Sequence, residues 1–267
     1  MSTSPQSEPG AYRCWSDRPS SLSLLFLFFF ISCAPTLSQR YPVTLPDFRS
    51  IVEGHLRDHR AILTDRRIFT FQIRYGIHTV NGEGVFLYKR PGHARIDLYV
   101  GASELVFQYF RNPERSTIVL PYEGRKIEGR AGAVVLTGIA GLEGMTIREN
   151  ELVTMMLGMD EEIGDPDGRI EARSGEDGYL LCDETGEEVS CVHLDRQTYS
   201  LTRYEAFSGG EKIRDIRFYA FREIDGIPRP QSVDFTDGVA SIRIRVTFRD
   251  EAINSELDPG LFEPLSG

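Results

Sequence analysis

The sequence predicts a mainly β protein of the α+β class, in which a curved antiparallel sheet forms an incomplete β-barrel covered by a helical lid. Two kinds of periodicity support this prediction. Apolar residues alternate with polar ones through most of the chain after residue 67, which is typical of half-buried strands. One early and one mid-chain segment instead repeat apolar residues at helical spacing. The pattern gives ten or eleven strands, and a sheet of that size tends to curl. A thin helical cover over a curled sheet leaves room for a cavity.

An apolar run near the N-terminus, residues 24–31, has the length of an export signal. A membrane-spanning helix needs about 20 apolar residues, whereas the core of a signal peptide has roughly 7–15. Upstream arginines give a weak positive flank, which Glu8 and Asp17 cancel. We therefore predict a signal peptide over residues 1–32. A buried N-terminal helix is the alternative, and a start codon assigned too far upstream would also explain the long leader.

Cys33 ends the sequence Phe-Ile-Ser-Cys, which resembles a bacterial lipobox. There the peptide is cut before the cysteine, whose sulfur and new amino group receive acyl chains such as palmitate. Several chains hold a protein firmly on a membrane, whereas one binds only marginally. An ordinary signal cut nearby is the alternative. Residues 33–46 contain three prolines and little periodicity, so we predict that they tether the lipidated cysteine to a domain of residues 47–267.

The first predicted helix spans residues 47 to about 63, and Asp47 is a candidate for its N-cap. Its apolar residues fall on one face. His55 and His59 lie on that face one turn apart, a spacing that can hold a metal ion. No third ligand is apparent, so we expect a structural pair and no metal.

Strands are predicted from residue 67 onwards. In the first, apolar residues alternate from Phe69 to Ile77, and Asn81-Gly82 is the predicted turn after it. Further turns are expected at residues 90–93 and 101–103. The strands between and beyond them are predicted at residues 84–89, 95–100 and 105–109, and residues 116–120 and 126–128 are shorter candidates.

Residues 131–159 interrupt the strand pattern. Residues 148–158 are predicted to form a short helix, and Met155, Met156 and Met159 cluster at its end. Methionine is flexible and polarizable, so the cluster suits a surface that accepts varied apolar partners. Ordinary packing of a helix on a sheet is the alternative.

The negative charge is concentrated in residues 160–188. This segment carries twelve acidic residues and two arginines, so its net charge of −10 equals that of the whole chain. A solvated loop and hairpin is the simplest interpretation, and an acidic docking surface for a basic partner is the alternative.

Cys182 and Cys191 lie in a predicted hairpin with Gly186-Glu187 as its two-residue turn. Counting outwards from the turn places the cysteines opposite each other at a non-hydrogen-bonded pair, with Cα atoms about 4.5 Å apart. That separation is the shortest that a disulfide normally accepts, and an exported protein permits the bond. We predict a disulfide; two free thiols are the alternative.

The remaining sequence returns to the strand pattern near residue 168, with turns at residues 225–228 and 237–238. These strands are predicted at residues 179–182, 189–194, 199–207, 213–222, 231–235 and 242–248.

Three stretches resemble the LolA/LolB superfamily of bacterial lipoprotein-localisation factors, and in particular its outer-membrane lipoprotein LolB. The strands that flank the protruding loop of that acceptor are similar to ARIDLYVGASELVFQY (residues 94–109). Its lid helix is similar to MTIRENELVTMMLGM (residues 145–159). Its last strand pair is similar to GIPRPQSVDFTDGVASIRIRV (residues 226–246).

The resemblance implies a lipoprotein of the outer membrane that faces the periplasm and is anchored through Cys33. Such a protein shields the acyl chains of lipids or lipoproteins in an apolar cavity, for lipoprotein localisation or lipid transport. A periplasmic carrier protein is an implied partner. The loop corresponding to the protruding loop is short and offers only Val100 and Leu105 as apolar residues.

The predicted site consists of apolar side chains on the strands and on the lid helix. The lid contributes Leu152, Met156 and Leu157. The cavity is lined by Phe69, Phe71, Ile73, Ile96, Leu98, Phe107, Ile242, Ile244 and Val246.

Composition and motifs point away from nucleic acid and from catalysis. The chain is acidic and shows no basic stripe interleaved with aromatic residues. It contains no nucleophile elbow, Walker loop or zinc-protease motif. We therefore predict a non-enzymatic protein without a cofactor. The alternative is a structural or interaction lipoprotein of the envelope, with the same sheet, a filled core and no cargo.

Overall fold

The structure is a computed structural model that describes residues 41–42, 45–132, 135–137, 146–160, 170–175, 177–184 and 188–263. All of these belong to one compact unit, which spans residues 39–267. The predicted signal peptide, Cys33, the turn Gly186-Glu187 and much of the acidic segment lie outside the described residues.

The described chain contains two α-helices and eighteen strands. The helices are α1 (Leu45–Ala61) and α2 (Glu149–Leu157), and short 3-10 helices cover Pro121–Glu123 and Pro259–Phe262. The strands are, in chain order, β1 (Tyr41–Pro42), β2 (Thr64–Tyr75), β3 (His78–Lys89), β4 (His93–Val100), β5 (Glu104–Arg111), β6 (Arg115–Leu120), β7 (Arg125–Arg130), β8 (Val135–Thr137), β9 (Thr146–Arg148), β10 (Ile170–Gly175), β11 (Gly178–Asp183), β12 (Glu188–Leu194), β13 (Leu201–Ser208), β14 (Glu211–Tyr219), β15 (Arg222–Ile224), β16 (Ile227–Arg229), β17 (Ser232–Asp237) and β18 (Ile242–Ile253).

Fourteen of the described strands form one antiparallel sheet, in the order β1-β10-β11-β12-β13-β14-β17-β18-β2-β3-β4-β5-β6-β7. The sheet is curved but not closed, because its outermost strands are β1 and β7. Two small sheets, β8-β9 and β15-β16, lie beside it. This architecture confirms the predicted α+β class with an incomplete barrel. The tally of ten or eleven strands was too low, because strands as short as β1 show no periodicity.

The last long strand pairs with the first, which joins the two halves of the sheet. In the register of β2 and β18, Phe69 lies opposite Phe248, and Ile73 lies opposite Ile244. The rings of Phe69 and Phe248 meet edge to face, with centroids 6.1 Å apart. Such cross-strand apolar pairs stabilise a sheet and fix its register.

The turn between β2 and β3 corrects the prediction. Asn81-Gly82 lies inside β3, and the chain turns at Gly76-Ile77 instead. Gly76 has a φ of +54°, which L side chains rarely adopt. Gly82 allows the Phe71 ring to pack closely against β3, because a Cβ atom there would lie 2.4 Å from that ring. Ile77, expected on the apolar face, is 95% exposed at the turn.

Helix α1 begins earlier than the sequence predicted. It starts at Leu45, so Asp47 lies in its first turn instead of at the N-cap. A carboxylate in this position still interacts favourably with the helix dipole. Ile51 and Val52 on the buried face of α1 join the inward-facing strand side chains and helix α2 in one apolar core.

Candidate functional site

An apolar cavity of about 410 Å³ lies between the inner face of the sheet and helix α2. Ligand sites in proteins typically have volumes of about 300–1,000 Å³, so this cavity is large enough for a hydrocarbon chain. It is lined by Phe69, Phe71, Ile73, Tyr75, Val80, Ile96, Leu98, Val100, Val106, Phe107, Leu120, Tyr122, Glu123, Ile147, Leu152, Met155, Met156, Ile244 and Val246. Glu123 is the one charged residue of this lining.

The lining is exposed at one end of the cavity and buried at the other. Tyr122 is 68% exposed and Glu123 is also exposed, whereas Phe69, Ile96 and Met156 are each 1% exposed. The 3-10 helix Pro121–Glu123 therefore marks the mouth of the cavity. The amphipathic Tyr122 suits such a boundary between apolar space and water.

Glycines in β3 shape the wall of the cavity. Gly84 lies opposite Phe69 in the register of β2 and β3, and Gly82 lies opposite Phe71. A Cβ atom at Gly84 would lie 2.3 Å from the Phe69 ring. Each phenylalanine ring therefore lies over a neighbouring glycine, which keeps a broad aromatic surface against the sheet.

Helix α2 covers the cavity with Leu152, Met155 and Met156. The helix confirms the predicted lid and ends at Gly158, whose N–H donates to the Thr154 carbonyl at 2.8 Å. Gly158 has a φ of +68°, the left-handed conformation in which many helices end.

A buried carboxylate anchors the start of α2 to one wall of the sheet. Glu149 accepts hydrogen bonds from the Tyr109 hydroxyl at 2.8 Å and from the Ser116 hydroxyl at 2.5 Å. The backbone N–H of Gly132 donates to its other oxygen at 2.9 Å. Burial and the adjacent Glu149 carboxylate raise the pKa of Tyr109, so its phenol remains a donor.

A second buried carboxylate anchors α2 to the opposite wall. Glu151 accepts from Arg214 on β14 at 2.8 Å and from the Arg148 backbone N–H at 2.9 Å. Burial raises the pKa of Glu151, and Arg214 opposes this shift. Glu188, at the end of the acidic segment, accepts from Arg214 and from Arg148, each at 2.8 Å.

Four charged side chains are buried behind the end of the lid. Arg67 contacts Glu251 at 2.7 Å and Asp65 at 3.1 Å, and it donates to the Leu157 carbonyl at 3.4 Å. Arg229 contacts Glu251 at 2.7 Å and also binds Asp65. Burial raises the pKa of both carboxyl groups, and Arg229 opposes this effect. The charges of this cluster sum to zero, as a buried group of ions requires.

The structure brings most of the predicted site together. All predicted lining residues surround the cavity except Ile242, which is 1% exposed but not part of its wall. Of the predicted lid residues, Leu152 and Met156 face the cavity, while Leu157 is buried elsewhere in the core. That these side chains contact a lipid remains a prediction.

A bulge in β5 lies next to the two predicted loop residues, Val100 and Leu105. Leu98 pairs with Phe107 and Tyr99 with Leu105, so Val106 is an extra residue in β5. Both Val106 and Phe107 therefore line the cavity, and Leu105 is displaced from it. Val100 lies in the wall instead of on a protruding loop.

Sequence reasoning also missed other lining residues, notably Tyr75, Val80, Leu120, Ile147 and Met155. Tyr75 continues the alternation of β2 and could have been found from it. Ile147 lies in the three-residue strand β9, which is too short to show a period.

His55 and His59 are both buried and bonded within the protein. His55 donates from Nδ1 to the Tyr199 carbonyl at 2.9 Å, and its Nε2 accepts from the Asp160 N–H at 3.4 Å. Nδ1 of His59 lies 2.9 Å from the Arg90 guanidinium. These contacts support the structural interpretation of the pair. Among the described residues, no group of three or more His, Cys, Asp or Glu side chains is placed to hold a metal ion.

A disulfide joins Cys182 and Cys191 across β11 and β12, with Cα atoms 4.1 Å apart. The two residues lie directly opposite each other, as the hairpin count predicted. The bond cross-links the two strands in which the acidic segment ends.

The chain shares its fold with solved structures, while no family model and no curated protein matches its sequence. An outer membrane lipoprotein-sorting protein domain from Vibrio parahaemolyticus has a TM-score of 0.59 at 9% identity, over 82% of this chain and 97% of that one. A LolA superfamily protein from Nitrosomonas europaea has a TM-score of 0.53 at 15% identity, over 81% of this chain and 97% of that one. A DUF1329 family protein from Desulfovibrio piger has a TM-score of 0.58 at 9% identity, over 81% of this chain and 97% of that one. These similarities establish a LolA/LolB-like fold. Within the described residues, no helix is long and apolar enough to cross a membrane.

Proposed function

We propose that this chain is a non-enzymatic lipoprotein of the bacterial envelope that binds the acyl chains of lipids or lipoproteins. The observation that carries the proposal is the apolar cavity beneath α2, which side chains leave unfilled. Burying about ten methylene groups at ~0.8 kcal/mol each would contribute roughly 8 kcal/mol to binding. Such a site depends on apolar area and adaptable contacts, which Met155 and Met156 supply.

In the bound state we place the hydrocarbon among the buried lining and the polar head at the mouth. Phe69, Ile96 and Met156 surround the inner end of the chain. Tyr122 and Glu123 lie where a head group would reach water. A volume of about 410 Å³ suits a single acyl chain, so this proposal has α2 move for cargo with several chains.

The structural neighbours support this class of function. The protein from Vibrio parahaemolyticus is described as a lipoprotein-sorting domain, and it shares this fold over nearly its whole length. We extend lipoprotein or lipid carriage to this chain as a proposal. Exchange of cargo with a periplasmic carrier protein belongs to the same proposal.

Anchoring at the outer membrane through Cys33 is the second part of the proposal. It rests on the apolar run before Cys33 and on the lipobox-like sequence there. Cells grown with labelled palmitate should incorporate the label into the wild-type protein and not into Cys33→Ser. A label retained in that variant would contradict the assigned site of acylation.

The cavity also separates this proposal from that of a structural lipoprotein with a filled core. A cavity-filling substitution provides the test. In Val106→Trp the larger side chain would occupy cavity volume, so we expect at least tenfold weaker binding of a fluorescent fatty acid to the full-length chain. Thr247→Trp is the control, because it introduces the same side chain on the outer, exposed face of the sheet. This variant should bind the fatty acid as tightly as the wild type does. Equal affinities of both variants would contradict the proposed site.

A further inference from the structure

A polar pocket lies on the face of the sheet opposite to the apolar cavity. It has a volume of about 390 Å³ and is formed by β2, β14, β17 and β18. Because side chains alternate along a strand, Arg74 faces outwards while Ile73 lines the inner cavity. We call this feature the outer pocket. Its charged lining residues are Arg74, Asp215, Arg217, Asp234, Arg243 and Arg245.

The two aspartates of the outer pocket are already engaged by arginines. Two guanidinium nitrogens of Arg245 donate to the two carboxylate oxygens of Asp234, at 2.6 and 2.7 Å. Asp215 accepts from Arg217 at 2.9 Å and from Arg203 at 2.8 Å. These contacts hold the pKa of Asp215 below its usual range, although burial opposes them. Both carboxylates are therefore already paired with arginines inside the pocket.

The other two arginines have no acidic partner among the described residues. Arg74 on β2 and Arg243 on β18 lie directly opposite each other in the strand register, and both are exposed. Like charges at opposed positions destabilise a sheet. The pocket thus keeps two adjacent positive charges that neighbouring carboxylates do not neutralise.

We propose that the outer pocket is an anion site that binds a phosphoryl group between Arg74 and Arg243. Guanidinium groups bind phosphate oxygens through paired N–H donors, so two of them can hold the dianion of free phosphate or the monoanion of a phosphodiester. Thr236 lies opposite Arg243 on β17 and lines the same pocket, so its hydroxyl can act as a third donor. The phosphoryl group comes either from free phosphate or from the head group of a phospholipid.

Titration calorimetry with the full-length chain tests this site. Inorganic phosphate and glycerophosphoglycerol, the soluble head group of a phospholipid, are titrated separately at constant ionic strength. We expect saturable binding of at least one, and the tighter ligand identifies the source of the phosphoryl group. Each of Arg74→Gln and Arg243→Gln should weaken that binding about tenfold, the factor expected for one lost charge-assisted contact.

Arg249→Gln is the matched control, since Arg249 lies on the same face of β18 but is paired with Glu83 at 2.9 Å. It should leave binding unchanged. In the absence of phosphate and at low salt, Arg74→Gln should raise the melting temperature of the protein, because the substitution removes the repulsion between Arg74 and Arg243. The proposal is overturned if neither ligand binds, or if Arg249→Gln weakens binding as much as Arg243→Gln does.

Discussion

His55 shows how a buried residue can make the fold sensitive to pH. It lies on α1 between the Tyr199 carbonyl and the Asp160 N–H, and its neutral form bonds with both. Burial lowers its pKa below the ordinary value of 6.5. The unfolded chain therefore binds a proton more readily below about pH 6.5, and stability falls as the pH falls.

We predict that His55→Gln removes part of this pH dependence. The free energy of unfolding, measured with urea at several pH values between about 7 and 5, should fall less steeply in the variant than in the wild type. His78→Gln removes an exposed histidine and serves as the control. A slope that is the same in His55→Gln and in the wild type would refute the assignment.

The buried cluster of Asp65, Arg67, Arg229 and Glu251 should be essential for stability. Removing one partner leaves an uncompensated buried charge, which costs about 3–5 kcal/mol. We therefore expect Arg229→Met to lower the free energy of unfolding by that amount in urea titrations. Arg249→Met, at an exposed position, should change it by less than about 1 kcal/mol. A small effect of Arg229→Met would show that the cluster is dispensable.

At the scale of elements, two buried glutamates connect the lid α2 to the sheet. Glu149 accepts a hydrogen bond from Tyr109 on β5, and Glu151 accepts one from Arg214 on β14. The helix therefore connects both walls of the cavity. We predict that Glu149→Gln and Glu151→Gln each speed amide hydrogen exchange in α2 more than in β2. Glu53→Gln on the exposed face of α1 is the control. Unchanged exchange in α2 would mean that apolar contacts alone hold the lid.

The hairpin of β11 and β12 gains stability from its disulfide. A cross-link that closes a loop of about ten residues contributes roughly 2–3 kcal/mol, mainly by restricting the unfolded chain. The double variant Cys182→Ser/Cys191→Ser should therefore unfold at a lower urea concentration than the wild type. If the midpoint does not change, the bond has no such role.

Elements with a clear period could be predicted from the sequence, and short or irregular ones could not. The alternation in β2 and β18 and the helical spacing in α2 gave these elements their correct type. The turn was misplaced because Asn81-Gly82 has the composition of a tight turn, yet Gly82 is needed for contact with Phe71. The bulge at Val106 has no signal in a single sequence, since it depends on the pairing with β4.

At the scale of the whole molecule, the inner face of the sheet could be predicted, but the empty volume inside it could not. Phe69 or Ile244 would show the same alternation in a filled core as at the wall of a cavity. Whether space remains depends on where α2 lies over the sheet, to which Glu149 and Glu151 connect it. Those contacts join residues distant in sequence, and a buried glutamate on a helix resembles an exposed one in sequence.

The central claim is that the curved sheet encloses space for a hydrocarbon chain. Native mass spectrometry of the full-length protein, purified without added lipid, tests it most directly. We predict a bound acyl lipid at one molecule per chain in the wild type and in Thr247→Trp, and a markedly smaller bound fraction in Val106→Trp. A wild-type protein that carries no lipid and takes up no added fatty acid would contradict the claim.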